Sequence, residues 1–200
     1  NVDAIASTGG GIETLTVNLN QGVDLAAADD IQVDVITAGT ALTITGDADA
    51  ELGAGTALTQ TVVNAATATG DLTINVGAAA STVTGGSGAD TFAFAGGLTT
   101  TDTITGGLGA DELSETLAAG TSVAATMSGV ETLSLAFANA TSTFVATNAS
   151  GVETVSLTGD EAVRITNLSE SVTAINLAAT DADGGETATI THSGSASALT

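Results

Sequence analysis

One phrase returns along the chain: GIETLTV from Gly11, GVETLSL from Gly129 and GVETVSL from Gly151, with SVTAINL from Ser171 keeping only its apolar positions. The last three begin 22 and 20 residues apart, and each alternates apolar with polar residues in its second half, as a half-buried strand does. A fixed period of this length marks a stacked architecture, because one repeat cannot bury its apolar face without the next. The reading is an all-β, right-handed parallel β-solenoid, of the β-helix or β-roll kind, with about 20 residues per turn.

Extending the period gives one apolar ladder at Leu15, Val35, Leu52, Ile74, Phe94, Leu113, Leu133, Val155 and Ile175. A second runs through Leu25, Ile44, Val63, Val83, Ile104, Val123, Phe144 and Ile165. Two strands per turn, stacked at about 4.8 Å, predict eight or nine turns and a rod of roughly 40 Å forming a single domain over residues 1–200. A β-sandwich has similarly spaced short strands, but the likeness among the repeats favours the solenoid. No segment shows a helical period with a cap; LAAADD at 25–30 is at most one turn.

Charge narrows the partners. The chain carries 23 acidic side chains against one base, Arg164, for a net charge of −22. Nucleic acid and anionic lipid both need basic side chains to displace counterions, so neither is an expected partner. A divalent cation is. Threonine, valine, isoleucine and leucine supply strand formers for an ordered fold once that charge is neutralised. Without cysteine there is neither disulfide nor thiolate metal site, and no stretch is long and apolar enough to span a bilayer. Asn1 opens the chain with no signal-peptide pattern, which suggests a piece of something larger.

The segment 85–114 concentrates glycine just ahead of aspartate. GGSGADTFA (85–93) and GGLGADELS (106–114) both fit the pattern GGxGxDxUx, and GGLTTTDTIT (96–105) keeps the glycines and Asp102 but carries an insertion. Calcium takes six to eight oxygens, backbone carbonyls included, and glycine lets consecutive carbonyls turn inward where a Cβ would forbid it. One loop has too few ligands, but the two complete copies begin 21 residues apart, one turn of the solenoid. The candidate metal residues are therefore Gly85, Gly86, Ser87, Gly88 and Asp90 stacked on Gly106, Gly107, Leu108, Gly109 and Asp111, with Phe92 and Leu113 anchoring the strands that follow. Asp102 is a weak site or none. Asp47, Asp49, Asp71, Glu131 and Glu153 fall on the same edge, the glutamates as solvated loop carboxylates. On the opposite edge DADGGE (181–186) places Asp181, Asp183 and Glu186 around two glycines, like a short calcium loop without the full EF-hand spacing. Several calcium ions are expected.

The nonapeptides resemble the calcium-binding repeats of RTX proteins, and together with the Thr/Ala-rich repeats and the GVET phrases the chain looks like the calcium-binding portion of a Caulobacter-type surface-layer protein. That resemblance implies type I secretion, folding outside the cell, and lateral assembly of identical subunits into a lattice held on lipopolysaccharide or another cell-surface glycan. It also leaves room for a calcium-rigidified module of a secreted adhesin, or for the tail of a larger secreted enzyme. The family's helical lipopolysaccharide-anchoring region has no counterpart in these residues.

No catalytic centre is expected. HExxH is absent and GGSGA fails GxSxG at its last position. His192 is the sole histidine and is read as a loop or strand-surface residue, and Arg164 as a partner of Asp160 or Glu161.

Overall fold

The structure, a computed structural model, describes residues 13–20, 31–37, 39–79, 81–118, 120–137, 142–159, 164–179 and 188–193. Every strand pairing among them is parallel and most join segments about 21 residues apart, so the chain is a parallel β-solenoid of about seven turns. The only helical element among the described residues is a single 3-10 turn, Ala146–Asn148.

Three sheets run along the stack. An eight-stranded sheet contains Ile31–Val33, Ala50–Leu52, Leu72–Asn75, Thr91–Phe94, Glu112–Leu117, Thr132–Phe137, Thr154–Gly159 and Ala174–Ala179. A seven-stranded sheet contains Thr14–Leu19, Ala41–Gly46, Val62–Ala68, Thr82–Thr84, Thr103–Thr105, Thr126–Ser128 and Ala149–Ser150. A four-stranded sheet, Ser122–Val123, Thr143–Val145, Arg164–Leu168 and Thr189–His192, exists only in the C-terminal turns. The cross-section thus changes from two sides to three. Small buried residues make the new corner: Ala125 in one turn, and the 3-10 segment with Ala146 buried in the next.

Side-chain alternation sorts each strand. In Thr82–Thr84 and Thr103–Thr105 the central Val83 and Ile104 are fully buried while the flanking threonines face out, where a β-branched residue suits the pleat. The inward ladder of the eight-stranded sheet is Val33, Leu52, Ile74, Phe92, Leu113, Leu133, Val155 and Ile175. That of the seven-stranded sheet is Leu15, Leu42, Val63, Val83, Ile104, Met127 and Ala149. Together they form one continuous core.

The ladders differ from the sequence reading at defined places. Leu15 stacks in the seven-stranded sheet, Val33 and Phe92 take the positions given to Val35 and Phe94, and Leu42 takes that of Ile44. The last three are two-residue slips, which strand alternation hides because it keeps the residue on the same face. Val123, Phe144 and Ile165 stack on one another in the four-stranded sheet, whereas Ile104 stacks on Met127. Leu25 lies outside the described residues.

Phe92 sits between Ile74 and Leu113 with no exposed surface. Phe92→Ala should cost ~3–5 kcal/mol by leaving a cavity that two flanking strands cannot close. Val62→Thr, on the outward face, should stay within about 0.5 kcal/mol. Denaturant titration followed by far-UV circular dichroism checks both.

Candidate functional site

The two glycine loops lie where the chain passes from the seven-stranded to the eight-stranded sheet. Because Thr91 pairs with Glu112, Asp90 and Asp111 are equivalent positions one turn apart. The loops touch directly: the Leu108 N–H donates to the Gly86 carbonyl at 3.0 Å, and the Glu112 N–H to the Asp90 carbonyl at 2.8 Å. Gly85 and Gly106 donate to the Thr105 and Ser128 carbonyls of the following turn, and Ser87 to the Ala68 carbonyl of the preceding one. A Cβ on Gly106 would collide with the Gly129 carbonyl, so the spacing between turns itself demands glycine. Gly88 and Gly109 stack in the same way, while the Leu108 side chain points into solvent.

The register unites two motifs that look unrelated in sequence. Gly106, Gly129 and Gly151 are equivalent, since Thr105 pairs with the turn of Ser128 and Ser128 with Ser150. GVET is therefore the glycine loop shortened from six residues to three, with its acid kept at the last position before the strand. Glu131 replaces Asp111, and its longer side chain reaches back so that Oε2 accepts the Asp111 N–H at 2.8 Å. Glu131 is half-buried and structural, which corrects its reading as a solvated loop carboxylate; Glu153 is exposed. The equivalence of Gly106 and Gly129 is the signal that would have placed Glu131 in the site.

The acids of this edge cap the backbone of neighbouring turns. Asp49 Oδ1 accepts the Asp71 N–H at 2.8 Å and Asp71 Oδ1 the Ala89 N–H at 2.7 Å. Asp90 points the other way: Oδ1 accepts the Leu72 N–H at 2.9 Å and Oδ2 the Gly86 N–H of its own loop at 2.6 Å. Asp111 Oδ1 accepts the Asp90 N–H at 2.8 Å. Its Oδ2 is buried and has no partner. The counterpart donor would be Gly107 N–H, but Gly107 has φ +121° whereas Gly86 is not in the left-handed region, so the second loop does not close on its aspartate as the first does.

Both aspartates are 0% exposed. Burial raises the Asp90 pKa, opposed by the Gly86 and Leu72 N–H bonds and reinforced by Asp71. Burial also pushes Asp111 up to about 6, opposed by the Asp90 N–H and reinforced by the charges of Asp90, Glu131 and Asp71. At neutral pH, Asp111 is thus a buried anion with an unsatisfied oxygen among three other acids, which is costly unless a cation or a proton meets it. Among the described residues no three acidic or histidine side chains converge on one point. A cation at Asp111 must accordingly draw on backbone carbonyls and water besides this carboxylate, a donor set that suits calcium.

Asp102 stands apart from this pair, ahead of the strand Thr103–Thr105 on the opposite edge. Its Oδ1 accepts the Ser81 N–H at 2.6 Å and its Oδ2 the Thr99 N–H at 2.6 Å and hydroxyl at 2.8 Å, so it caps the turn that the insertion creates. Asp181, Asp183 and Glu186, like Asp160 and Glu161 near Arg164, lie outside the described residues. His192 ends the last strand of the four-stranded sheet, paired with Leu168.

The raised Asp111 pKa has a definite sign. A carboxyl whose pKa is higher folded than unfolded gives stability that is full below about 4 and lost as pH rises through about 6. Calcium-free protein should therefore lose thermal stability across that window, and Asp111→Asn, which mimics the protonated form, should flatten the loss; melting curves from pH 4 to 7 in chelator check it. No family model, curated protein or solved structure matches the chain.

Proposed function

We propose that this chain is a calcium-binding extracellular structural protein whose copies assemble into a surface layer or filament. The observation that carries the calcium reading is the buried, unpartnered Oδ2 of Asp111 between two stacked glycine loops. Net charge adds to it: with 23 acids against one base, the folded chain repels itself until divalent cations neutralise it. Asp111 would supply the charged ligand, the carbonyls of the Gly85–Asp90 and Gly106–Asp111 loops the neutral ones, and Asp90 and Glu131 the surrounding negative field. Calcium would contribute binding free energy to the folded state alone.

Self-assembly is supported by the resemblance to surface-layer proteins and by an exposed apolar side chain on the eight-stranded sheet. Leu177, on the last described strand of the eight-stranded sheet, is 58% exposed although it continues an inward column. The role is structural; no part of it calls for a reaction.

Light scattering and negative-stain microscopy through a calcium titration, reversed with chelator, test the assembly. Ordered sheets or filaments that form with calcium and dissolve without it are the expected result. A monomeric rod throughout would overturn assembly and leave the adhesin-module reading. For the site, Asp111→Ala and Asp90→Ala should each lower calcium affinity at least tenfold in calorimetric titration, while His192→Ala leaves it unchanged; equal affinity in all three would remove the assignment.

A further inference from the structure

A second buried acid, outside the glycine loops, lies in the core itself. Glu115 belongs to the strand Glu112–Leu117, where it occupies an inward position between Phe94 on one side and Leu135 on the other, in a column that continues to Leu157 and Leu177. It is 3% exposed. Its Oε2 accepts the Gly96 N–H at 3.3 Å, an N–H shared with the Phe94 carbonyl, and the Leu98 backbone favours the charged form of the carboxyl. The acid therefore sits under the turn that follows Thr91–Phe94 and holds it from below. That turn is packed tightly against the preceding one, Gly97 lying on Gly77 and Ala78, and Leu98 is buried beneath it.

We propose that Glu115 is a pH-operated latch on the turn 95–98: neutral, it stays in the core and keeps the turn closed; ionised, it leaves for water and takes the turn with it. The surroundings give the direction. Phe94 and Leu135 flank the carboxyl with hydrocarbon, which solvates the neutral form better than the charged one. The turn itself offers N–H groups but no side-chain charge. The charged group that faces Glu115 is Asp102, from the segment leading into Thr103–Thr105, and it is buried and of like sign. Burial is the largest influence, Asp102 adds to it, the Gly96, Leu98 and Thr116 N–H groups oppose it, and the balance lifts Glu115 to about 7. Closure is thus favoured in acid and lost as pH rises through about 7, because the open form, with an ordinary carboxyl, releases its proton first. This inference is independent of calcium at the glycine loops.

Amide hydrogen exchange at fixed calcium, corrected for intrinsic rates, tests it. In the wild-type chain the protection of residues 96–98 should fall by up to about tenfold per pH unit between pH 5 and 7 and level off above, while that of Val83 and Ile104 stays constant. Glu115→Gln should abolish the pH dependence with the turn still protected, and Asp102→Asn should shift the midpoint to lower pH. Protection of the turn that does not change with pH, or that changes equally in Glu115→Gln, overturns the latch. Should Glu115→Gln fail to fold, the carboxyl carbon resonance of Glu115 in the wild type decides: a midpoint near 7 supports the proposal and one near the ordinary 4.5 overturns it.

Discussion

Parallel stacking places each residue directly over its counterpart one turn away, at about 4.8 Å, and everything distinctive about this chain follows from that superposition. An apolar residue that recurs with the period becomes a continuous core. A glycine that recurs becomes a channel of backbone packed on backbone. An acid that recurs becomes a column of like charge, and opposite charges to break it are nearly absent, since Arg164 is the sole base. The fold is obliged to satisfy its carboxylates with something other than salt bridges.

Backbone N–H groups fill that role. On the edge leading into the eight-stranded sheet, Asp49 and Asp71 reach forward to the next turn, while Asp90, Asp111 and Glu131 reach back. The change of direction has a cause in register: Asp71 is equivalent to Ala89 and Asp90 to Leu72, so the acid column steps sideways by one residue between those turns. Two acids then serve one turn boundary from both sides. Charge-assisted bonds of this kind are stronger than neutral ones, and they tie successive turns together at loops where no strand ladder runs. The same device works on the opposite edge, where Asp102 caps the inserted turn. Among the described acids, Asp111 is the one left with a buried oxygen unmatched, at the point where two full glycine loops meet.

The architecture was legible because the period is written in several independent features at once: the GVET phrases, the glycine loops and the apolar ladders. The cross-section was not. A step of 19 residues from Ile104 to Val123 looks like one turn, yet the strand that stacks on Thr103–Thr105 is Thr126–Ser128, because a corner at Ala125 inserts a third side. Alanine is too common in this chain for one buried corner residue to stand out. Asp90 and Asp111 were visible through their glycines, and their stacking through the 21-residue interval. Glu115 stands in ELSETL on the same face as Leu113 and Leu117, but an acid in such a strand reads as solvated; only pairing with Phe94 and Leu135 shows that its position is closed over.

These two kinds of acid meet on one strand. Glu112–Leu117 begins just after Asp111 and carries Glu115 within it, so one carboxyl ahead of the strand and one inside it are raised by burial to about 6 and about 7. The two carboxyls differ in what can relieve them. Asp111 lies on an edge with carbonyls, an unpartnered oxygen and nearby acids, where a cation can replace its proton. Glu115 lies among Phe94 and Leu135 with its accepting oxygen already bonded to the turn, where ionisation is relieved only by movement. A rise in pH therefore loads this strand at two points, but a cation bound at Asp111, as proposed, would unload only one of them. That asymmetry makes the strand Glu112–Leu117, rather than either end of the rod, the place where the charge carried by this chain bears most directly on its fold.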